Sequence, residues 1–151
     1  MKNRKGFTLV ELFITLAILA ILASVAIKIY NHYFRSAFEL DPLSTLMSAK
    51  IEQEEYYADN DTYACKIEYL PSFQDGTVDN KFYINSNKDD RRKFYITVSS
   101  CSGSSYTLQV KNETDDPKWK IEWQLSCSAN ANLNQCQPRQ IKGSGTFQHL
   151  F

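Results

Sequence analysis

From Phe7 to Ile27 the chain is apolar except at Thr8, Glu11, Thr15 and Ser24, a run of 21 residues. At about 1.5 Å of rise per residue a helix of that length spans roughly the 30 Å hydrocarbon core of a bilayer. The pattern then changes without stopping. Leu43, Leu46, Met47 and Ile51 recur at three- and four-residue spacing, with Lys50, Glu52, Gln53 and Glu55 on the opposite side, which predicts an amphipathic helix laid on a sheet. Asp41-Pro42 between the two runs reads as a kink or as a restart with Asp41 as N-cap. A helix continuous from Phe7 to Ala58 would be about 78 Å long. Its N-terminal half must then find lipid or other copies of itself.

After the polar stop Asp59-Asn60-Asp61 the period shortens to two. Phe82 and Ile84 form one alternation, Phe94, Ile96 and Val98 a second, Tyr106, Leu108 and Val110 a third, and Trp119, Ile121, Trp123 and Leu125 a fourth. Lys118, Lys120, Glu122 and Gln124 take the other face of the last one. Such one-sided strands suit an antiparallel sheet with one wet face and one covered by the helix. Turns fall at Asn87 to Asp90, Cys101 to Ser104 and Thr114 to Pro117. The expected class is α+β: a long N-terminal helix packed on a four-stranded antiparallel sheet.

Charge sharpens the picture of the first segment. Lys2, Arg4 and Lys5 precede the apolar run, while Lys28 and Arg35 follow it, a bias that favours a cytoplasmic N-terminus. A cleaved secretory signal has a shorter apolar core of about 7 to 15 residues. Within the run Glu11 stands out, because a carboxylate there costs on the order of 2 to 3 kcal/mol and less near the headgroups. A residue that costly calls for a partner.

Gly6-Phe7-Thr8-Leu9-Val10-Glu11-Leu12 behind a short basic leader resembles the class III signal of type IV pilins and related pseudopilins. The resemblance implies cleavage by a membrane prepilin peptidase between Gly6 and Phe7, methylation of the new Phe7 amine, and assembly on an inner-membrane platform into a polymer of pilin subunits. It implies that Glu11 pairs with the Phe7 amine of a neighbouring subunit. Phe7 and Glu11 lie four residues apart and share a helix face. In low dielectric the carboxylate offsets the cation far better than an exposed partner would. Glu54-Glu55-Tyr56-Tyr57 followed by Thr62-Tyr63 is similar to the pattern at the helix end in pilins with short connecting loops. The implied architecture is the type IV pilin fold. Residues 1–6 form a leader, 7–28 the membrane and polymerisation half of the helix, and 29–151 an extracytoplasmic domain. That domain divides into an amphipathic helix 29–58, a connecting loop 59–80, a sheet 81–126 and a disulfide-bounded C-terminal region 127–151. The chain would sit in the bacterial inner membrane as a single-pass protein and then in an extracellular fibre. One departure is Ala26-Ile27-Lys28, where major pilins commonly carry proline after Ala-Ile. Without a proline the segment opens less readily, which points toward a minor pilin or pseudopilin.

Four cysteines, Cys65, Cys101, Cys127 and Cys136, lie beyond the span, where disulfides are the default. Sequence alone leaves three connectivities open. The resemblance favours Cys127 with Cys136, closing a short C-terminal loop, and Cys65 with Cys101, tying the segment after the helix to the sheet. A zinc site is disfavoured, since C-x-x-C spacing is absent and only His32 and His149 are available. Asp89, Asp90, Asp115 and Asp116 lack the alternation of a calcium loop. No metal, cofactor or catalytic residue is expected, because G-x-S-x-G, phosphate-loop, dinucleotide and H-E-x-x-H motifs are all missing.

The full chain carries 17 basic and 17 acidic side chains, and loss of the leader leaves 14 against 17. That balance excludes a generally basic nucleic-acid binder. Locally, Lys81, Lys88, Arg91, Arg92 and Lys93 interleave with Phe82, Tyr83, Phe94 and Tyr95, a combination able to engage phosphates and stack bases. The favoured account is a charged inter-strand loop whose aromatics face the core, with DNA the less favoured partner. The expected function is a structural pilus subunit supporting adhesion, twitching motility or DNA uptake. The alternatives are a type II secretion pseudopilin and a DNA-binding minor pilin.

Overall fold

A computed structural model describes residues 8–85, 91–117, 119–132 and 135–143. Helix α1 runs Leu9–Asn60 with Pro42 inside it. Asp41-Pro42 therefore does not end the helix. The hydroxyls of Ser44 and Thr45 donate to the Asp41 carbonyl, each at 2.9 Å. Asp61 terminates α1 in the left-handed region, φ 56°, with its N–H donating to Tyr57 O at 2.9 Å, the role a C-terminal glycine or asparagine usually takes.

The chain forms two compact units, residues 1–37 and 38–151. In the first, the apolar stretch Leu9–Tyr30 has a mean hydropathy of 2.6 and none of it is buried. In the second, α1 from Phe38 onward lies on the sheet. Leu43, Leu46 and Ala49 join Phe94, Ile96, Val98, Tyr106, Leu108, Val110, Trp123 and Leu125 in one core.

Among the described residues the sheet has six strands, not four: β1 Thr77–Val78, β2 Lys81–Tyr83, β3 Phe94–Ser102, β4 Ser105–Asn112, β5 Glu122–Ser128 and β6 Arg139–Lys142, paired antiparallel in chain order. The two additions are short edge strands in segments expected to be loops. β1 has only two residues, and every residue of β6 is at least partly exposed, so neither carries a one-sided apolar pattern long enough to read. Trp119 and Ile121, expected in the fourth strand, fall outside β5, which begins at Glu122. β3 and β4 meet in a hairpin turned at Gly103-Ser104, which keeps Cys101 within the strand.

Beyond packing, α1 holds the loops by hydrogen bonds. Gln53, 0% exposed, donates to Ala64 O at 2.8 Å and accepts from Ala64 N at 2.9 Å. Lys50 Nζ donates to Cys136 O at 3.0 Å, the Ser72 N–H donates to Glu52 at 3.1 Å, and Gln140 donates to the buried Glu39 carboxylate at 3.0 Å. Glu54 accepts from the phenols of Tyr63 and Tyr106 at 3.3 and 3.2 Å. The apolar count predicted Ile51 for the buried stripe, yet it is 59% exposed. The buried stripe follows Glu39, Leu43, Leu46, Ala49 and Gln53, a spacing of three or four in which polar ends satisfy loop backbone.

Candidate functional site

At the N-terminal end, Gly6 and Phe7 lie outside the described residues. Thr8 precedes the first helical residue, and its hydroxyl oxygen accepts the Glu11 N–H at 3.3 Å while its O–H donates to Glu11 Oε2 at 3.4 Å. Glu11 thus occupies the N3 position of a capping arrangement whose signal, Thr-x-x-Glu, is visible in the sequence. Negative charge in the first turn also complements the helix dipole. Leu9, Val10, Leu12, Phe13, Ile14 and Leu16 beyond it are all exposed. Such a surface is compatible with lipid or with other apolar helices, and not with water.

The cysteines are joined as Cys65 to Cys101, Cα atoms 5.2 Å apart, and Cys127 to Cys136, 5.0 Å apart. The first ties the connecting loop to β3. The second links β5 to the segment before β6. Next to the first bridge, Tyr57, Tyr63 and Tyr106 meet in succession as tilted ring pairs with centroids 4.5 and 4.6 Å apart. Burial and the Glu54 carboxylate push the Tyr63 phenol up to about 12, and the same causes raise Tyr106 further. Among the described residues no three His, Cys, Asp or Glu side chains gather as a metal would need.

Among the described residues the basic segment does not form a single patch. Lys88 lies outside the described residues. Arg91 places its guanidinium 5.3 Å from the Trp119 ring, Arg92 lies 4.6 Å from Phe38 on α1, and Lys93 pairs with Glu113 at 2.8 Å while sitting 4.6 Å over Tyr83. Strand alternation also divides the aromatics. Phe94 is in the core with Phe82 packed against it, while Tyr83 and Tyr95 come together on the other face, centroids 5.8 Å apart.

On that face the register lines up Tyr83, Tyr95, Lys111, Glu122 and Lys142 across β2 to β6. Lys81 and Lys111 hold their ammonium groups 5.0 and 5.6 Å from the Tyr95 ring, a cation–π arrangement that covers its face. Lys81, Lys111, Lys120 and Lys142 line a groove of about 470 Å³ together with Tyr95, Glu113, Asp115 and Glu122. Glu113 accepts from Lys93 and from the Tyr83 phenol at 2.7 Å, and those hydrogen bonds hold its carboxyl below the usual range. Lys111 went unnoticed in the sequence, and Lys120, expected on the wet face of the fourth strand, was not joined to the basic cluster, because both lie far along the chain from Lys81. The available signal was the outward positions of β4 and the turn before β5, which antiparallel pairing brings beside Lys81.

A membrane-length apolar helix behind a basic N-terminal sequence, continuing onto an antiparallel sheet with a second disulfide joining β5 to the segment before β6, defines the class of protein. Residues 1–27 match the prokaryotic N-terminal methylation motif, and residues 29–130 match the family described as "Type IV minor pilin ComP, DNA uptake sequence receptor". The chain is 34% identical over 129 residues to a "Fimbrial protein" of Pseudomonas aeruginosa, covering 75% of this chain and 83% of that one. It is 43% identical over 63 residues to "Type IV wide pilus major component PilA4" of Thermus thermophilus, covering 42% and 48%. It is 40% identical over 47 residues to "Prepilin peptidase-dependent protein D" of Escherichia coli, covering 31% and 32%. No solved structure matches significantly. The chain belongs to the type IV pilin family. It is a structural subunit of a type IV pilus, anchored by its apolar helix and assembling with other pilin subunits into an extracellular fibre.

Proposed function

We propose that this subunit is a minor pilin whose head captures DNA for uptake. The observation that carries the reading is the match of residues 29–130 to a family described as a DNA uptake sequence receptor, supported by a sheet face bearing Lys81, Lys93, Lys111, Lys120 and Lys142. Lys28, standing where a major pilin commonly has proline, fits a low-abundance subunit better than the bulk polymer. No chemistry on a substrate is needed, because capture requires binding alone. The full-length chain, purified in a zwitterionic detergent, should retard labelled duplex DNA and release it as salt rises. A folded chain that binds no duplex at low salt contradicts the reading.

The N-terminal residues have assigned roles in this proposal. The prepilin peptidase cuts between Gly6 and Phe7 and methylates Phe7, and the inner-membrane platform extracts the subunit. Glu11 then offsets the cationic amine of Phe7 in the adjoining subunit. Glu11→Leu should still insert and be cleaved yet enter fibres poorly, and normal incorporation would refute that role. Charge reversal at Arg91 and Arg92 is a blunter test of DNA capture, because both guanidinium groups also cover rings in the fold.

A further inference from the structure

The sheet-face groove differs from the loop arginines in what its cations are doing. Arg91 and Arg92 lie against Trp119 and Phe38, and Lys93 is paired with Glu113. Lys142 lies 4.0 Å from Glu122. By contrast, among the described residues Lys81, Lys111 and Lys120 have no carboxylate within ion-pair distance. Two of them rest on one ring, Tyr95, which holds their ammonium groups on the same side of the sheet. Three lysines without an ion pair among the described residues lie along one groove and form an anion site; of the carboxylates lining it, Glu113 is held by Lys93, Glu122 faces Lys142, and Asp115 has no cationic partner among the described residues.

The same groove has little with which to read a base. Tyr95 is 9% exposed beneath its lysines, so its ring has no open face for stacking. The phenol of Tyr83 is committed to Glu113. Asn112, the amide in the lining, is 3% exposed and spends its side chain on Arg91 O, Trp119 O and the Ile121 N–H. Contacts that position a duplex go to phosphates, and contacts that specify sequence go to base edges.

We infer that this groove grips the phosphodiester backbone, with Lys81, Lys111 and Lys120 supplying a sequence-independent part of DNA affinity while sequence is read elsewhere on the head. The inference rests on the DNA-capture reading above. Each phosphate neutralised on a duplex contributes about 0.9 to the slope of log affinity against log salt. Three lysines therefore account for a slope of about 2.7, or about 40-fold in affinity over a fourfold rise in salt.

The test is fluorescence anisotropy of the full-length chain in zwitterionic detergent with two duplexes of unrelated sequence. The triple variant Lys81→Gln, Lys111→Gln, Lys120→Gln should bind both more weakly by the same factor, with a slope smaller by about 2.7. Asp115→Asn should tighten binding to both, a gain that misfolding cannot produce. If the wild-type chain binds and the triple variant matches it in affinity and slope, the groove is not the phosphate site, although DNA capture stands. A loss confined to one duplex would mean that the groove reads bases, which overturns sequence independence. If the wild-type chain binds neither duplex, DNA capture fails and the groove proposal fails with it.

Discussion

Leu19 and Leu46 belong to one helix, yet Leu19 is 60% exposed and Leu46 is fully buried. The N-terminal stretch shows leucine, isoleucine, valine and alanine on all sides, with no face reserved for water. The later stretch confines its apolar residues to one stripe and uses Lys50, Glu52, Gln53 and Glu54 to tie down neighbouring segments. The secondary structure is the same and the solvents differ. One half is built to be surrounded by lipid or like helices, and the other to carry a sheet through water.

Leucine-to-alanine at the two positions breaks the comparison most directly. Leu46→Ala should destabilise the head by about 2 to 5 kcal/mol, the usual range for emptying a buried leucine site. Leu19→Ala should leave head unfolding in detergent unchanged within about 0.5 kcal/mol. Chemical denaturation followed by tryptophan emission reads both, since Trp123 is in the core. Equal effects would mean that the N-terminal half also stabilises the head.

A loss of similar size should follow from Gln53→Leu, which keeps most of the side-chain volume but strands the N–H and C=O of Ala64. Each orphaned buried group costs about 1 to 3 kcal/mol. Amide exchange at Ala64 should quicken well beyond that of β4, and unchanged exchange would show that the clamp is dispensable.

Alkali should also act on the head. The Tyr63 phenol ionises near 10 in an unfolded chain and near about 12 in the fold. Stability is therefore complete below pH 10 and declines as the pH climbs from 10 toward 12. Denaturation midpoints measured across that window should fall, and Tyr63→Phe should remove part of the fall. The smallest effect is acidic. The carboxyl of Glu113 is lowered, mainly by its hydrogen bond from Lys93, so its contribution is present above the ordinary carboxylate value and fades as the pH drops through the folded one. Lys93→Met should flatten that acid limb, seen in the same midpoints.

The helix that packs on the sheet and the four alternating strands were legible because burial leaves a period in the residues, and the apolar span was legible by its unbroken length. Edge strands β1 and β6 left none. The stripe on α1 was misjudged at Ile51 and Gln53, since counting apolar residues cannot register a glutamine buried to satisfy a loop. Glu11 was legible as an anomaly of composition, whereas its capping bond with Thr8 needed the helix start to be located. At the candidate site, sequence brought Arg91, Arg92 and Lys93 together as neighbours in the chain, and strand geometry aimed them at three different rings. The groove lysines are up to 61 positions apart, from Lys81 to Lys142, and only strand pairing assembles them.

Fibres sheared from cells that express this chain, labelled with gold of one size on an antibody to residues 38–143 and gold of another size on duplex DNA, test the account most directly. It predicts sparse antibody labels along or at the tips of fibres, with DNA labels at the same places and absent from fibres of cells lacking the gene. Fibres without antibody label, or DNA bound equally well when the chain is missing, would contradict it.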